Sequence, residues 1–190
     1  MSARTFHRIT VTGDPGSGKS TFARAVAARL GYRLITTGNI FRALAAERGI
    51  SVNALNELAE TQAEIDRQVD DYLVSLNETA EDLVLDSRMG WHFVRDCLKI
   101  RLTVEPEVAA DRIFRDTGGE MRETFADFGT AVREVEQRKR SEVHRYRTLY
   151  GVDISDPANF DLVIDTSHKA PDDITRAFER EFEVYKAGKT

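Results

Sequence analysis

Arg8-Ile9-Thr10-Val11-Thr12, a largely β-branched segment, runs without interruption into Gly13-Asp14-Pro15-Gly16-Ser17-Gly18-Lys19-Ser20. The first segment has the composition of a short strand. The second satisfies the spacing G-x-x-x-x-G-K-[ST]; behind it Phe22, Ala25, Val26 and Leu30 recur on one face of a helix that Gly31 stops. A strand, a glycine-rich loop and a helix in that order make an anion cradle. The glycines let backbone N–H groups turn inward, and the helix N-terminus adds its partial positive charge. In such a loop Lys19 reaches the β- and γ-phosphates, and the Ser20 hydroxyl ligates Mg²⁺. Chance would supply the four fixed positions on the order of once in a hundred chains of this length. The strand-then-helix context lowers that further, against the alternative of a glycine-rich turn with a surface lysine. The pattern implies binding of a nucleoside triphosphate. Asp14 is anomalous, because a phosphate ligand repels a carboxylate; its side chain is expected to point to solvent or to cap the turn.

Further along, strands alternate with helices. Tyr32–Ile35, Leu83–Asp86, Leu98–Val104 and Phe160–Ile164 read as strands, Pro106 to Arg115 as a helix with proline in its first turn, and Asp172–Tyr185 as an amphipathic helix presenting Ile174, Phe178 and Phe182. This order predicts an α/β fold, three layers α/β/α around a central parallel five-stranded sheet. The 190 residues suit one domain, which would bury roughly 70% of the unfolded chain's surface. No apolar run approaches the roughly 20 residues a bilayer needs, and Met1 to Thr10 lack the apolar core of a signal peptide, so a soluble cytoplasmic protein is expected. Cys97 is the single cysteine, which excludes an internal disulfide and a zinc site built on several thiolates; beside Leu98 it reads as buried and inert.

The formal net charge is −5, which speaks against a nucleic-acid polymer as partner. That charge is unevenly spread: Glu47 to Asp86 holds eleven acids and two bases, whereas Arg133 to Arg147 holds six bases and three acids. The acidic stretch overlaps a mostly helical insertion, Phe41 to Asn77, with Ile65, Val69, Tyr72, Leu73 and Leu76 on one stripe. A second insertion is expected to start at a Gly118-Gly119 hinge and to include a long helix ending at Gly151. On it Arg138, Glu142 and Arg145 share a face. Such a face is ordinarily a solvated, salt-bridged surface. Beside a phosphate loop it also fits the movable cations that phosphoryl transfer needs.

Four stretches carry a family resemblance: Gly13–Ser20; Thr37-Gly38-Asn39-Ile40-Phe41-Arg42; Asp86-Ser87-Arg88-Met89-Gly90-Trp91; and Arg138-x-x-Ser141-Glu142-x-x-Arg145-Tyr146 with Tyr150-Gly151-Val152-Asp153. Phe160 to Ser167 adds a fifth. From Ile9 to about Ser167 the chain resembles the nucleoside monophosphate kinases, and among them the short, archaeal-type cytidylate kinases and cytidylate-kinase-like proteins. The resemblance implies a P-loop core (1–37, 78–117, 152–190), a monophosphate-binding insertion (38–77) and a lid (118–151). Gly13, Asp14, Pro15, Gly16, Ser17, Gly18, Lys19, Ser20 and Thr21 would hold ATP, with Arg112 stacked on its base and Arg115 as an equally placed rival. Thr37, Gly38, Arg42, Asp86 and Arg88 would bind the acceptor. Lys19, Arg88, Arg138 and Arg145 would act on the transferring group, and Ser20 and Asp86 would serve Mg²⁺.

Each assignment has a plainer counterpart. Arg42 fits a helix-surface arginine, Arg88 an ion pair with Asp86, Asp86 a cap on the next helix, and Trp91 and His92 simple packing. Two positions depart from the family pattern: Ser87 stands where glycine is usual, and Met89 where the longer bacterial enzymes carry aspartate. These lie near the acceptor site and leave its base open. A monophosphate acceptor is already ionised and needs no general base, so the demand is electrostatic. A neutral hydroxyl acceptor would want a carboxylate base, for which Asp66 and Asp86 are available. The arginine pattern favours the anionic acceptor: a monomeric kinase acting on CMP or dCMP with ATP, both small nucleotides, and touching neither membrane nor nucleic acid. The alternatives are a kinase of another small acceptor and a non-catalytic nucleotide-binding regulator.

Overall fold

The structure is a computed structural model and describes residues 7–50, 54–55, 58, 62–115 and 127–188. The expected Gly118-Gly119 hinge lies outside the described residues. Five strands, β1 (Arg8–Gly13), β2 (Arg33–Thr36), β3 (Leu83–Asp86), β4 (Cys97–Thr103) and β5 (Leu162–Asp165), form one parallel sheet in the order β2-β3-β1-β4-β5. The helices used below are α1 (Lys19–Leu30), α2 (Thr37–Glu47), α3 (Ala63–Ser75), α4 (Gly90–Phe93), α5 (Pro106–Arg115), α6 (Phe128–Tyr150) and α7 (Pro171–Ala187).

Strand alternation sends Ile9 and Val11 of β1, Val84 of β3 and Leu98, Ile100 and Leu102 of β4 to one face of the sheet. There they meet Phe22, Ala23, Val26 and Ala27 of α1 and Phe178 and Phe182 of α7. Leu83, Leu85 and Cys97 point the other way, with Ile35, onto Val69 and Leu73 of α3 and Leu76 just beyond it. Both faces are covered, and β3 is apolar on both sides as in buried parallel strands; β1 and β4 instead turn Thr10, Thr12, Lys99 and Arg101 to the second face. The three-layer α/β/α reading therefore holds. The Cys97 thiol is buried, and burial pushes it up to about 11. Among the described residues no helix is long and apolar enough to cross a membrane.

Gly31 ends α1 in the left-handed region at φ 69°, where a side chain would be strained. Several boundaries shift by one or two residues from expectation, and the start of β5 has a clear cause. Phe160 does not enter β5, because its N–H closes a turn on Pro157 O at 3.1 Å and its ring packs 5.1 Å from Trp91. The sheet is joined next door, where Lys99 N donates to Asp161 Oδ2 at 2.7 Å and Asp161 N donates to Lys99 O at 2.9 Å.

This topology fixes the site. β1 lies between β3 and β4, with Val11 opposite Asp86. The loop leaving β1 therefore emerges beside the carboxyl end of β3, where the chain switches from one side of the sheet to the other; open α/β sheets bind ligands at such switch points. The scaffold depends on α7 staying seated: Phe178 is 1% exposed and packs edge-on against Phe22 at 5.8 Å. Phe178→Ala should lower the unfolding free energy by about 3–5 kcal/mol in urea denaturation, and a loss under about 1 kcal/mol would contradict this packing.

Candidate active site

The glycine-rich loop is pinned at both ends of its first turn. Asp14 N donates to Leu102 O at 3.0 Å, and Ser17 N donates to Asp14 O at 3.1 Å. Gly16 has φ +73°, and a Cβ there would stand 2.8 Å from Ala109 Cα, so loop and α5 touch through bare backbone. Pro15 is buried and Gly18 is exposed at the N-terminal end of α1. Ser17 Oγ is buried and has no hydrogen-bond partner. Ser20 and Thr21 are exposed in the first turn of α1, so their hydroxyls border the cradle.

Lys19, only 14% exposed, contacts the carboxylate of Asp86, which is 5% exposed. Burial, and after it the Arg88 guanidinium, pushes the Lys19 ammonium down to about 7, while the Glu142 carboxylate opposes that shift. Asp86 does not cap the turn after β3. That task falls to Ser87, whose Oγ accepts from Met89 N at 3.3 Å and Gly90 N at 3.0 Å. The start of α2 is brought to the same place: Thr37 Oγ1 donates to Asp86 O at 3.4 Å, while Thr36 caps the helix by accepting from Asn39 N. Arg42 curls back to hydrogen-bond Asn39, its guanidinium passing over Gly38.

Arg88 does not pair with Asp86. It grips Glu142 of α6 with two donors, Nε at 2.8 Å and NH2 at 3.2 Å. Arg138 reaches the same carboxylate at 3.5 Å. Burial opposes the charge on Arg88, but Glu142 outweighs it and holds the guanidinium above its usual range. The backbone of Arg88 is held as well, since Thr12 Oγ1 and Trp91 Nε1 both donate to its carbonyl at 3.2 and 3.0 Å. Trp91 and His92 otherwise pack among Phe160, Phe93 and Tyr150, in keeping with the packing reading.

Arg145 is directed elsewhere, donating to both oxygens of Asp66 on α3 at 2.6 and 2.5 Å. One turn along, Tyr150 Oη donates to Asp70 Oδ2 at 2.7 Å. Arg112 lies against the loop, donating to Gly16 O at 3.2 Å, Thr166 Oγ1 at 3.1 Å and Thr166 O at 2.6 Å. Its rival Arg115 is 77% exposed and pairs with Asp111.

Asp14 requires a correction. Its side chain neither points to solvent nor caps the turn; it is 6% exposed and accepts from Arg101 and Lys139, each at 2.7 Å. Water is a poorer partner for a carboxylate there than two cations supplied by β4 and α6. Sequence reasoning missed Arg101 and Lys139 and left Glu142 without a role. Arg101 gave no distinct signal, because it alternates with Lys99 and Thr103 on what reads as the polar face of the strand Leu98–Val104. Lys139 had none, being one of three successive cations on a helix.

A parallel sheet that aims a glycine-rich backbone cradle, a lysine and several arginines at one crevice is the apparatus of a P-loop phosphotransferase. Within that class, residues 8–168 match the cytidylate kinase-like family, and the chain belongs to it. The cytidylate kinase of Sulfurisphaera tokodaii is 34% identical over 90% of this chain and 92% of its own length. That of Pyrococcus furiosus is 38% identical over 87% of this chain and 83% of its own length. Among solved structures, a shikimate kinase from Bacteroides thetaiotaomicron superposes with a TM-score of 0.64 at 15% identity, over 96% of this chain and 99% of that one, and so shares the fold.

The Lys19 environment makes a signed prediction. Arg88→Gln removes a neighbouring positive charge, so the Lys19 pKa should rise from about 7. Nuclear magnetic resonance of ¹³C-methylated lysines across a pH titration would read the shift; an unchanged or lower value would contradict the arrangement.

Proposed function

We propose that the protein transfers the γ-phosphoryl group of ATP to CMP or dCMP, giving ADP and the nucleoside diphosphate. The observation that supports this most directly is the meeting of Arg88 and Arg138 on one bidentate carboxylate, Glu142, close enough to Lys19 for all three to act on its charge. That carboxylate has the charge and fork of a phosphoryl group, so the pair is arranged to grip an anion. Segments 38–77 and 118–151 are then the monophosphate-binding and lid insertions on the core 1–37, 78–117 and 152–190. Thr37, Gly38 and Arg42 at the start of α2, with Arg88, would take the acceptor phosphate. Arg138 and Arg145 would approach the transferring group from the lid, and Arg112, its donors committed to backbone and Thr166, would meet the adenine with its planar face.

The chemistry asks for positioning and charge neutralisation rather than proton removal. The carboxylates that could have served a hydroxyl acceptor are spoken for: Asp66 is held by Arg145 and Asp86 by Lys19. With both carboxylates engaged by cations, the site favours an acceptor already ionised. Among the described residues no cluster of three or more acidic, histidine or cysteine side chains could hold a metal by itself. The donors present fit Mg²⁺ in the usual kinase manner, the Ser20 hydroxyl and the Asp86 carboxylate joining phosphate oxygens and water. The ion would supply charge neutralisation at the β- and γ-oxygens.

ADP release should be measured with ATP·Mg²⁺ against CMP, dCMP, UMP, AMP, GMP and neutral small acceptors. Saturable turnover with CMP and dCMP is expected; turnover confined to a nonphosphorylated acceptor would overturn the proposal. Arg88→Ala should lower kcat/KM for the acceptor by about 100-fold or more while leaving ATP affinity within about threefold. Lys19→Ala should reduce kcat by at least about 100-fold, and activity within about twofold of the parent would remove Lys19 from the site.

A further inference from the structure

We infer that Asp14 is a positioning residue, a carboxylate built into the phosphate loop that ties the loop to α6 through Lys139 and thereby sets where Arg138 and Glu142 stand over the site. A carboxylate among groups that surround a polyphosphate repels the ligand unless it is neutralised, and the buried Arg101 already does that. Arg101 is 4% exposed, donates to Asp14 Oδ1 at 2.7 Å and to Ile154 O at 2.5 Å, and lies over the Phe160 ring at 5.6 Å. One fixed arginine suffices to balance one carboxylate. Lys139 is a second cation on the same group, reaching Oδ2 at 2.7 Å from a different element, with 40% of its side chain exposed. Neutralisation does not require it; connection does.

The connection has a direction. Asp14 is rigid, since its N–H and its carbonyl are both tied, to Leu102 and Ser17. Near its start α6 rests on α5 through small side chains, Ala131 on Ala109 and Ala110, with Val135 beside them. Lys139 immediately follows Arg138, and Glu142 lies less than one turn further. Fixing the Lys139 ammonium at the loop therefore fixes the rotation of α6, and with it the pair that meets Arg88. Through that chain the loop that holds one nucleotide orients the cations that act on the phosphoryl group in transit.

This inference rests on the kinase reading above, and the variants separate the two. Asp14→Asn leaves Arg101 buried without its counter-charge and can fail to fold, whereas Lys139→Met keeps the buried Asp14–Arg101 pair. Lys139→Met should lower kcat by about tenfold or more, with KM for ATP within about twofold and the thermal midpoint within about 2 °C. Lys139→Arg, which preserves the cation, should recover at least about half of kcat. Where Asp14→Asn folds, adding Lys139→Met to it should change kcat by less than about twofold, because the tie is already cut. Hydrogen exchange supplies a readout independent of turnover: amides of residues 136–143 should exchange at least about threefold faster in Lys139→Met than in the parent. If the parent phosphorylates no acceptor, the kinase reading falls and the exchange result still decides the tie. Parent-like kcat and parent-like exchange in Lys139→Met would overturn it, as would additive effects in the double variant.

Discussion

Cations gathered to receive a polyanion repel one another, and the carboxylates interleaved among them let this fold hold them in one crevice. At an effective dielectric constant of about 20, two like charges 4 Å apart cost about 4 kcal/mol, a large share of the roughly 5–15 kcal/mol that stabilises a domain. Asp86 answers Lys19, Glu142 stands between Arg88 and Arg138, Asp66 faces Arg145, and Asp14 lies between Arg101 and Lys139. Net stability is a poor reason for these pairs, since burying charges costs about as much as pairing them returns. Their effect is conditional: without its carboxylate, each mostly buried cation, Lys19, Arg88 or Arg101, is left uncompensated.

The sheet converts that balance into geometry. β1 and β3 are central and paired along their length, so the loop and Asp86 are fixed relative to each other to within backbone precision. Arg88 follows Asp86 by two residues and is locked through its own carbonyl by Thr12 and Trp91. Apart from Lys19 of α1 and Arg101 of β4, the partners of these groups come from α2 and α6, elements outside the sheet. The site thus has a rigid half that belongs to the strands and an adjustable half carried on helices.

The rigid half was legible in the sequence. β3 and α5 begin and end at the expected residues, because an apolar run closed by Asp86 and a proline in the first helical turn are local signals. The phosphate loop was legible for the same reason. β5 was misplaced at its start because the deciding contacts, Asp161 to Lys99 and Phe160 to Trp91, join distant parts of the chain. The adjustable half was legible only as a face: Arg138, Glu142 and Arg145 share one side of α6, yet Arg145 leaves the cluster for Asp66. Glu142 meets Arg88 across 54 residues, Arg145 meets Asp66 across 79, and Lys139 meets Asp14 across 125. No spacing rule reaches that far; only the fold decides which carboxylate each cation finds.

Uneven charge along the chain nevertheless foretold which elements would meet. The acidic stretch contains α3 and the basic stretch lies in α6, and the two helices are joined by Arg145 to Asp66 and Tyr150 to Asp70. Attraction between whole segments is screened within about 8 Å at physiological salt, so these contacts carry the coupling. Asp66 and Asp70 are one turn apart and share a single cation. Burial first, then the Asp66 charge, raises Asp70 to about 6, while the Tyr150 hydrogen bond works the other way. A carboxyl raised in the folded state destabilises the fold at pH above that value, and the penalty is relieved as pH falls from about 6 toward its unfolded range near 4. Mild acid therefore removes repulsion from this joint. The contact between α3 and α6 is thus one salt bridge and one tyrosine hydrogen bond, the latter made to the carboxyl that burial raises.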